Sequence, residues 1–408
     1  MTADFCALLP AGRVALAENQ LTELEARENE IKAFVCADID AAHQALAAVP
    51  AGPLSGALIG IKDIIATRDF PTRCGDPELP VGAIARRDAW VVARLKVLGA
   101  TILGKTVCTR FGIPIPGPTR NPHDPRHSPG GSSSGSAAAV AAGFVSFAIG
   151  TQTAGSTIRP ASYCGVVGYK PTFGLLSTEG VQPLSTTLDH IGIFAESPRD
   201  AWLLTTALVL RGPETIAPHP PARLCILKMP GQNCARLARL AETLRAAEIE
   251  TDVLPLPVPW RDFTDLQKDI CYWEAARLIS PESIPISPSL SDLLEPYLQR
   301  DLEFYTAALQ RRAHYQANFD ALATIYDAIL LPAALGPAPL HHDTGDAAMN
   351  RFWTALHVPA ISVPLWRDEM GLPIGLQLVG RFGSDRRLMG VAEWLMRTCK
   401  EADNGWHR

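Results

Sequence analysis

One lysine and two serines stand in contexts that suit nucleophilic chemistry. Lys62 lies inside the short apolar run ALIGIKDII at residues 57–65, and Ser132 and Ser156 occupy two segments rich in glycine and other small residues. An ammonium group buried in an apolar strand loses hydration, which lowers the pKa of the lysine and lets its neutral amine act as a base. A serine hydroxyl activated by such a base can attack a carbonyl carbon.

Each of these residues also has a simpler interpretation when it is taken alone. Adjacent strand residues point to opposite faces, so Lys62 could face solvent or form an ion pair with Asp63. Serines that follow glycines, such as Ser132 after Gly130 and Gly131, are common turn residues. The functional interpretation therefore depends on a pattern that joins all three.

The segment before Ser156 adds a second chemical feature. Residues 151–155, TQTAG, are small and polar, and successive backbone N–H groups in such a turn can form an anion-binding nest. A nest of this kind is suited to hold the oxyanion that forms when a hydroxyl attacks a carbonyl.

Two familiar motifs fit less well. Residues 99–106, GATILGKT, match the phosphate-loop pattern, but a phosphate loop needs a strand before it and a helix after it. Here a helical pattern precedes the motif, and its interior residues, Thr101 to Leu103, are typical of a strand. A nucleotide hydrolase is therefore not expected.

Residues 131–135, GSSSG, match the nucleophile elbow of another hydrolase fold, with Asp189 and His190 downstream in the matching order. That elbow requires a strand leading into the serine, whereas HDPRHSPGG precedes this one. An aspartate is also poorly placed to orient its own neighbour. His190 is expected to be a surface or structural residue.

The whole pattern resembles the amidase signature family. The resemblance rests on GIKD, on GGSSSGSAAAVAAG and on IGTQTAGSTIRPASYCGVVGYKPT, which occur in the family's order and spacing. Similarity continues from about residue 15 to PAISVPLWRDEMGLPIGLQLVGRFGSD, so it covers nearly the whole chain.

The resemblance implies a catalytic triad that works without a metal or cofactor. Ser156 would be the nucleophile, Ser132 the bridging serine after a cis peptide bond from Gly131, and Lys62 the base. Attack on an amide would give an acyl-enzyme on Ser156, which water then releases. The N–H groups implied to form the oxyanion hole are those of Thr153, Ala154, Gly155 and Ser156.

Two departures from the usual family pattern bear on the substrate. Ala154 replaces a glycine and places a methyl group beside the oxyanion donors. Arg159 lies three residues after the nucleophile rather than two, and together with Gln152 it resembles the malonamidase branch, in which an arginine holds a substrate carboxylate. A structural ion pair is the alternative role for Arg159.

The expected function is hydrolysis of a small carboxamide, with a carboxylate-bearing, malonamate-like amide as one candidate. The alternatives are an A-type amidotransferase subunit that supplies ammonia from glutamine to a partner, and an acylamidase acting on neutral aryl or aliphatic amides. A binding protein with a silent triad is a further alternative, because fold alone does not establish activity.

Composition limits the other partners. A formal net charge of −5 provides no positive excess for a polyanion, so nucleic acid is not an expected partner. The chain lacks a run of 18 apolar residues, which favours a soluble, cytoplasmic protein without a membrane partner. Nine cysteines without a C-x-x-C pair are expected to be reduced thiols. The sequence leaves a homodimer open.

The elements that must position these residues alternate between helix and strand. The 408 residues predict a single α/β domain, residues 1–408, in which helices sandwich a large mixed β-sheet. A mainly helical side lobe or lid is expected around residues 258–324. Strands are expected within 57–65, 101–103, 145–149, 224–227 and near 252, and helices at 90–99, 136–142, 198–210, 234–247 and from 385.

Overall fold

The computed structural model contains one mixed β-sheet flanked by helices. It describes residues 4–48, 51–76, 85–209, 212–229, 235–257, 263–279 and 288–401. Within these residues the sheet has 11 strands in the order β1-β3-β2-β4-β6-β5-β10-β11-β9-β7-β8. The α/β fold class predicted from the sequence is therefore confirmed.

The strands are β1 (Phe34–Ala37), β2 (Leu58–Lys62), β3 (Thr101–Thr106), β4 (Phe147–Gln152), β5 (Val167–Lys170), β6 (His190–Ala195), β7 (Arg223–Lys228), β8 (Glu250–Pro255), β9 (Ala328–Pro332), β10 (Ala360–Arg367) and β11 (Pro373–Val379). The helices are α1 (Pro10–Ile31), α2 (Ile39–Ala48), α3 (Trp90–Val97), α4 (Ser134–Ala141), α5 (Ile158–Cys164), α6 (Pro198–Val209), α7 (Ala235–Ala246), α8 (Phe263–Leu278), α9 (Pro288–Leu298), α10 (Leu302–Ala323), α11 (Ala348–Ala355) and α12 (Asp385–Glu401).

Side-chain alternation along the central strands builds a core on each face of the sheet. In β4, Phe147 and Ile149 pack into the core that includes α3, α6, α7 and α12. Ala148, between them, packs into the opposite core with α1 and α4. Because successive strand residues point to opposite faces, one apolar strand supplies both layers of the sandwich.

The strand order brings the predicted site residues together. Strand β2 runs parallel to β4, with Ile59 opposite Phe147 and Ile61 opposite Ile149. The carboxyl ends of the two strands therefore meet at the same edge of the sheet. Lys62 ends β2, and Thr151 and Gln152 end β4.

Several elements differ from the sequence prediction in extent. Apolar residues at helical spacing in the segment 13–48 predict one or two amphipathic helices, and strand β1 lies between the two helices that form. Helix α4 begins two residues before the predicted start at 136, and β4 begins at 147 rather than 145. The predicted helix at 234–247 corresponds to α7, and residue 234 lies outside the described residues.

The segment predicted as a side lobe contains helices α8, α9 and α10. Most of its proline cluster, residues 281–289, lies outside the described residues. The division into one domain with a side lobe stays a prediction.

The cysteines in the described part of the chain are free thiols, and six of these eight are buried. Among the described residues, no helix combines the length and the apolar character needed to cross a bilayer.

Candidate active site

Lys62 is fully buried at the end of β2. Its Nζ lies 2.8 Å from Ser132 Oγ and 2.7 Å from Thr151 Oγ1. Burial lowers the pKa of Lys62 to about 8, and the charges of Cys108 and Asp189 oppose that shift. A neutral amine is therefore accessible to Lys62 near neutral pH.

Asp63 does not pair with Lys62. Its Oδ1 lies 3.5 Å from Lys105 Nζ, and its carboxylate accepts hydrogen bonds from the backbone amides of Arg73 and Gly75. The alternative of a Lys62–Asp63 ion pair or a solvated lysine is wrong. Asp63 also lines a cavity of about 630 Å³ that contains neither Ser132 nor Ser156.

Ser132 follows a cis peptide bond from Gly131, as predicted. Helix α4 starts two residues later and consists of serine, glycine, alanine and valine. This composition permits close packing: a Cβ added at Gly135 would lie 2.1 Å from the Ala33 carbonyl oxygen. The small residues of the motif thus let α4 and Ser132 approach the strand ends.

Residues 153–156, here called the TAGS loop, connect β4 to the turn before α5. The carbonyl of Thr153 accepts a hydrogen bond from Gln267 Nε2 at 2.9 Å, and that of Ala154 accepts one from Thr354 Oγ1 at 2.7 Å. Since the peptide unit is planar and trans, each held carbonyl directs the following N–H group to the opposite side. The N–H groups of Ala154 and Gly155 are oriented in this way.

Gly155 is confined by the helix behind it. A Cβ at this position would lie 2.3 Å from Asn350 Oδ1 and 3.0 Å from Ala347 Cβ. No side chain fits there without displacement, which explains the glycine beside Ser156.

A cavity of about 320 Å³ brings both serines together. It is lined by Ser132, Ser156, Thr153 and Ala154, so one small molecule could contact the two hydroxyls and the TAGS loop. Four charged residues also line this cavity: Arg159, Arg351, Asp343 and Asp346.

Arg159 is buried on helix α5. Its Nη2 donates a hydrogen bond of 2.6 Å to the Gly131 carbonyl, while its Nε has no partner among the described residues. Burial lowers the pKa of its guanidinium from the ordinary value. Arg159 thus supports the turn before Ser132 and also contributes to the cavity wall.

Gln152 is fully buried and contributes no surface to the 320 Å³ cavity. Its Oε1 accepts hydrogen bonds from the amides of Thr157 and Ile158, and its Nε2 donates to Thr354 Oγ1. Gln152 therefore lies next to the TAGS loop but does not face the cavity, and its contacts support the start of α5. Its predicted role in substrate binding stays a prediction.

The structure agrees with the rejection of the phosphate-loop and nucleophile-elbow motifs. Residues 101–106 of the phosphate-loop match form strand β3. His190 is buried, and its Nδ1 lies 2.6 Å from the Leu188 carbonyl oxygen. Asp189 instead accepts a hydrogen bond from Thr153 Oγ1 at 2.5 Å.

Sequence reasoning missed several residues around the site. Thr151 contacts Lys62, and its place in the segment TQTAG is the only local signal for it. Arg351 Nη1 donates to Gln267 Oε1 at 2.6 Å, and both come from distant helices without a local motif.

Comparison with known proteins agrees with this fold. The model of the family described as Amidase matches residues 15–225 and 289–389. A solved crystal structure of an amidase superimposes with a TM-score of 0.83 at 29% identity, covering 94% of this chain and 96% of that one. The chain belongs to the amidase signature family and is an enzyme of that family.

Two curated relatives share the name of one amidotransferase subunit. The chain is 40% identical to the A subunit of glutamyl-tRNA(Gln) amidotransferase from Exiguobacterium sibiricum over an alignment of 438 positions, gaps included, which covers 90% of each chain. It is 30% identical to the protein of the same name from Thermus thermophilus over an alignment of 436 positions, gaps included, which covers 92% of each chain. Similarity to the malonamidase branch stays a prediction.

Proposed function

We propose that this chain cleaves a carboxamide bond through an acyl-enzyme on Ser156. The observation that carries the proposal is the contact of Lys62 Nζ with Ser132 Oγ beside a cavity that both serines line. A buried lysine with a lowered pKa supplies the base that such a serine pair requires.

The reaction follows from these positions. Neutral Lys62 takes a proton from Ser132, Ser132 takes one from Ser156, and Ser156 Oγ attacks the amide carbonyl. The backbone amides of the TAGS loop hold the oxyanion. The same relay returns a proton to the leaving nitrogen, and water then hydrolyses the ester on Ser156.

The fate of the released ammonia separates two versions of this function. The names of the curated relatives favour an A-type amidotransferase subunit, in which the ammonia from glutamine passes to a partner protein. This version, the alternative from the sequence, has more support than hydrolysis of a free small amide.

The cavity wall is compatible with an acidic substrate in either version. Arg159 and Arg351 both line it, and guanidinium groups bind carboxylates in a bidentate manner. Glutamine and malonamate each carry a free carboxylate, whereas neutral aryl or aliphatic amides would leave both arginines without an anionic group from the substrate.

Hydrolysis of four amides tests the proposal and separates its versions, with ammonia as the measured product for the primary amides and aniline as the measured product for the anilide. Purified wild-type chain and Ser156→Ala would be assayed with glutamine, malonamate, propionamide and an anilide. Preference for glutamine supports the amidotransferase version, and preference for malonamate supports the malonamidase-like version. A rate that Ser156→Ala leaves unchanged on every substrate would contradict the proposal.

The need for a protein partner depends on which version of the function holds. An amidotransferase subunit requires a protein partner, whereas a free amidase does not. The expected cytoplasmic location and the homodimer left open by the sequence stay predictions.

A further inference from the structure

Asp189 is a buried carboxylate that the proposed proton relay does not use. Its Oδ1 accepts the hydroxyl hydrogen of Thr153 at 2.5 Å, and its Oδ2 accepts the backbone amides of Leu184 at 2.9 Å and Ser185 at 3.0 Å. Three donors thus converge on one carboxylate, and one of them belongs to the TAGS loop.

We propose that Asp189 is a positioning residue for amide cleavage, which holds the TAGS loop through the hydroxyl of Thr153. This inference rests on the proposed function of Ser156 and names a determinant of its efficiency. Asp189 acts through Thr153 and does not contact the substrate.

Burial destabilises the charged form of the Asp189 carboxylate. Removal from water raises the pKa of Asp189 to about 6, although the hydrogen bonds from Thr153, Ser185 and Leu184 oppose the shift. A buried charge is tolerated when its acceptor capacity is filled. The neighbouring His190 is not its partner, because His190 Nδ1 lies against the Leu188 carbonyl.

The hydrogen bond to Asp189 completes the anchoring of the loop. Gln267 and Thr354 hold the carbonyls of Thr153 and Ala154, which orients the next two amides. Asp189 fixes the side chain at the start of the same segment. A transition-state oxyanion depends on donors that are held in place before the reaction, so a freer loop should lower kcat more than it raises KM.

The first test compares two substitutions at Thr153. Thr153→Val removes the hydroxyl and should lower kcat by at least tenfold, but by less than the roughly 100- to 1,000-fold loss that follows removal of an entire oxyanion donor. KM should change little. Thr153→Ser keeps a hydroxyl and should restore most of the rate. Thr205→Val is a matched control, because Thr205 is also buried but donates to Ala201 on helix α6.

The second test replaces the carboxylate itself. Asp189→Ala removes all three acceptor contacts, including the one with Thr153, so kcat should fall at least as far as in Thr153→Val. If the hydrogen bond carries the effect, the double variant should lose no more than the larger single loss.

A pH profile separates positioning from general loss of structure. The titratable groups that interact electrostatically with Asp189 within the described residues are Lys62, Glu274 and Cys271. Because the charge of Asp189 raises the pKa of Lys62, Asp189→Asn should move the acid limb of kcat to lower pH, whereas Thr153→Val should leave it in place.

The labelling of Ser156 by a fluorophosphonate distinguishes the two ways of failing. Absence of labelling in the wild type would contradict the proposed function. Normal labelling and turnover in the wild type, with unchanged rates in both Thr153→Val and Asp189→Ala, would overturn the positioning role alone.

Discussion

Lys62 is the residue whose protonation state should control turnover. Its amine must be neutral to accept the proton of Ser132, and burial lowers its pKa to about 8. The charged form predominates below this pKa, so kcat/KM should rise with pH through about 8 and then level off. A pH–rate profile between about pH 6 and 10 measures this limb.

Two lysine variants identify the source of the limb. Lys62→Met should lose most of the rate and the pH dependence with it. Lys170→Met is a matched control, because Lys170 is also fully buried, with its pKa lowered to about 7, but donates to the Val358 carbonyl. A wild-type rate and profile in Lys62→Met would place the base elsewhere.

Substitution of Arg159 tests whether the substrate carries a carboxylate. We expect Arg159→Ala to lower kcat/KM for malonamate more than for propionamide. The difference corresponds to about 2 to 5 kcal/mol of transition-state stabilisation if the substitution breaks a buried contact between opposite charges. Its hydrogen bond to the Gly131 carbonyl should add a smaller loss common to both substrates. Equal losses would mean that Arg159 only supports the turn.

At the scale of elements, the close approach of α11 to the TAGS loop makes Gly155 sensitive to substitution. Gly155→Ala would place a methyl group 2.3 Å from Asn350 Oδ1. Overpacking of this kind costs about 1 to 3 kcal/mol, and displacement of the loop should lower kcat further. Thermal unfolding and ammonia release measure the two effects.

Gly336→Ala is the matched control, since a Cβ at Gly336 would meet nothing within 4 Å. It should leave both the melting temperature and the rate close to wild type. A Gly155→Ala variant with the same behaviour would contradict the close packing of α11 against the loop.

The elements also explain which parts of the site could be predicted. Strand β2 and its lysine follow from a short apolar run, and the serines follow from a long motif. The contacts of Gln267, Arg351 and Asp189 join segments distant in sequence. A single sequence shows periodicity and motifs but does not show which distant segments touch. The positions of these residues in the site therefore could not be predicted.

At the scale of the whole molecule, the alternation of helix and strand patterns along the chain predicts the α/β sandwich but not every strand in it. Strand β5 (Val167–Lys170) and strand β6 (His190–Ala195) are fully buried on both faces. Such strands lack the alternation of polar and apolar residues that marks a half-exposed strand. Their neighbours in the sheet, β4 and β10, determine their positions.

The central claim concerns a single oxygen atom, Ser156 Oγ. Treatment of the folded chain with a fluorophosphonate, followed by peptide mass spectrometry, tests it most directly. We expect one covalent adduct, on Ser156, that forms more slowly in the presence of substrate and is absent from Ser156→Ala. An adduct on any other residue, with Ser156 unmodified and activity lost, would contradict the account.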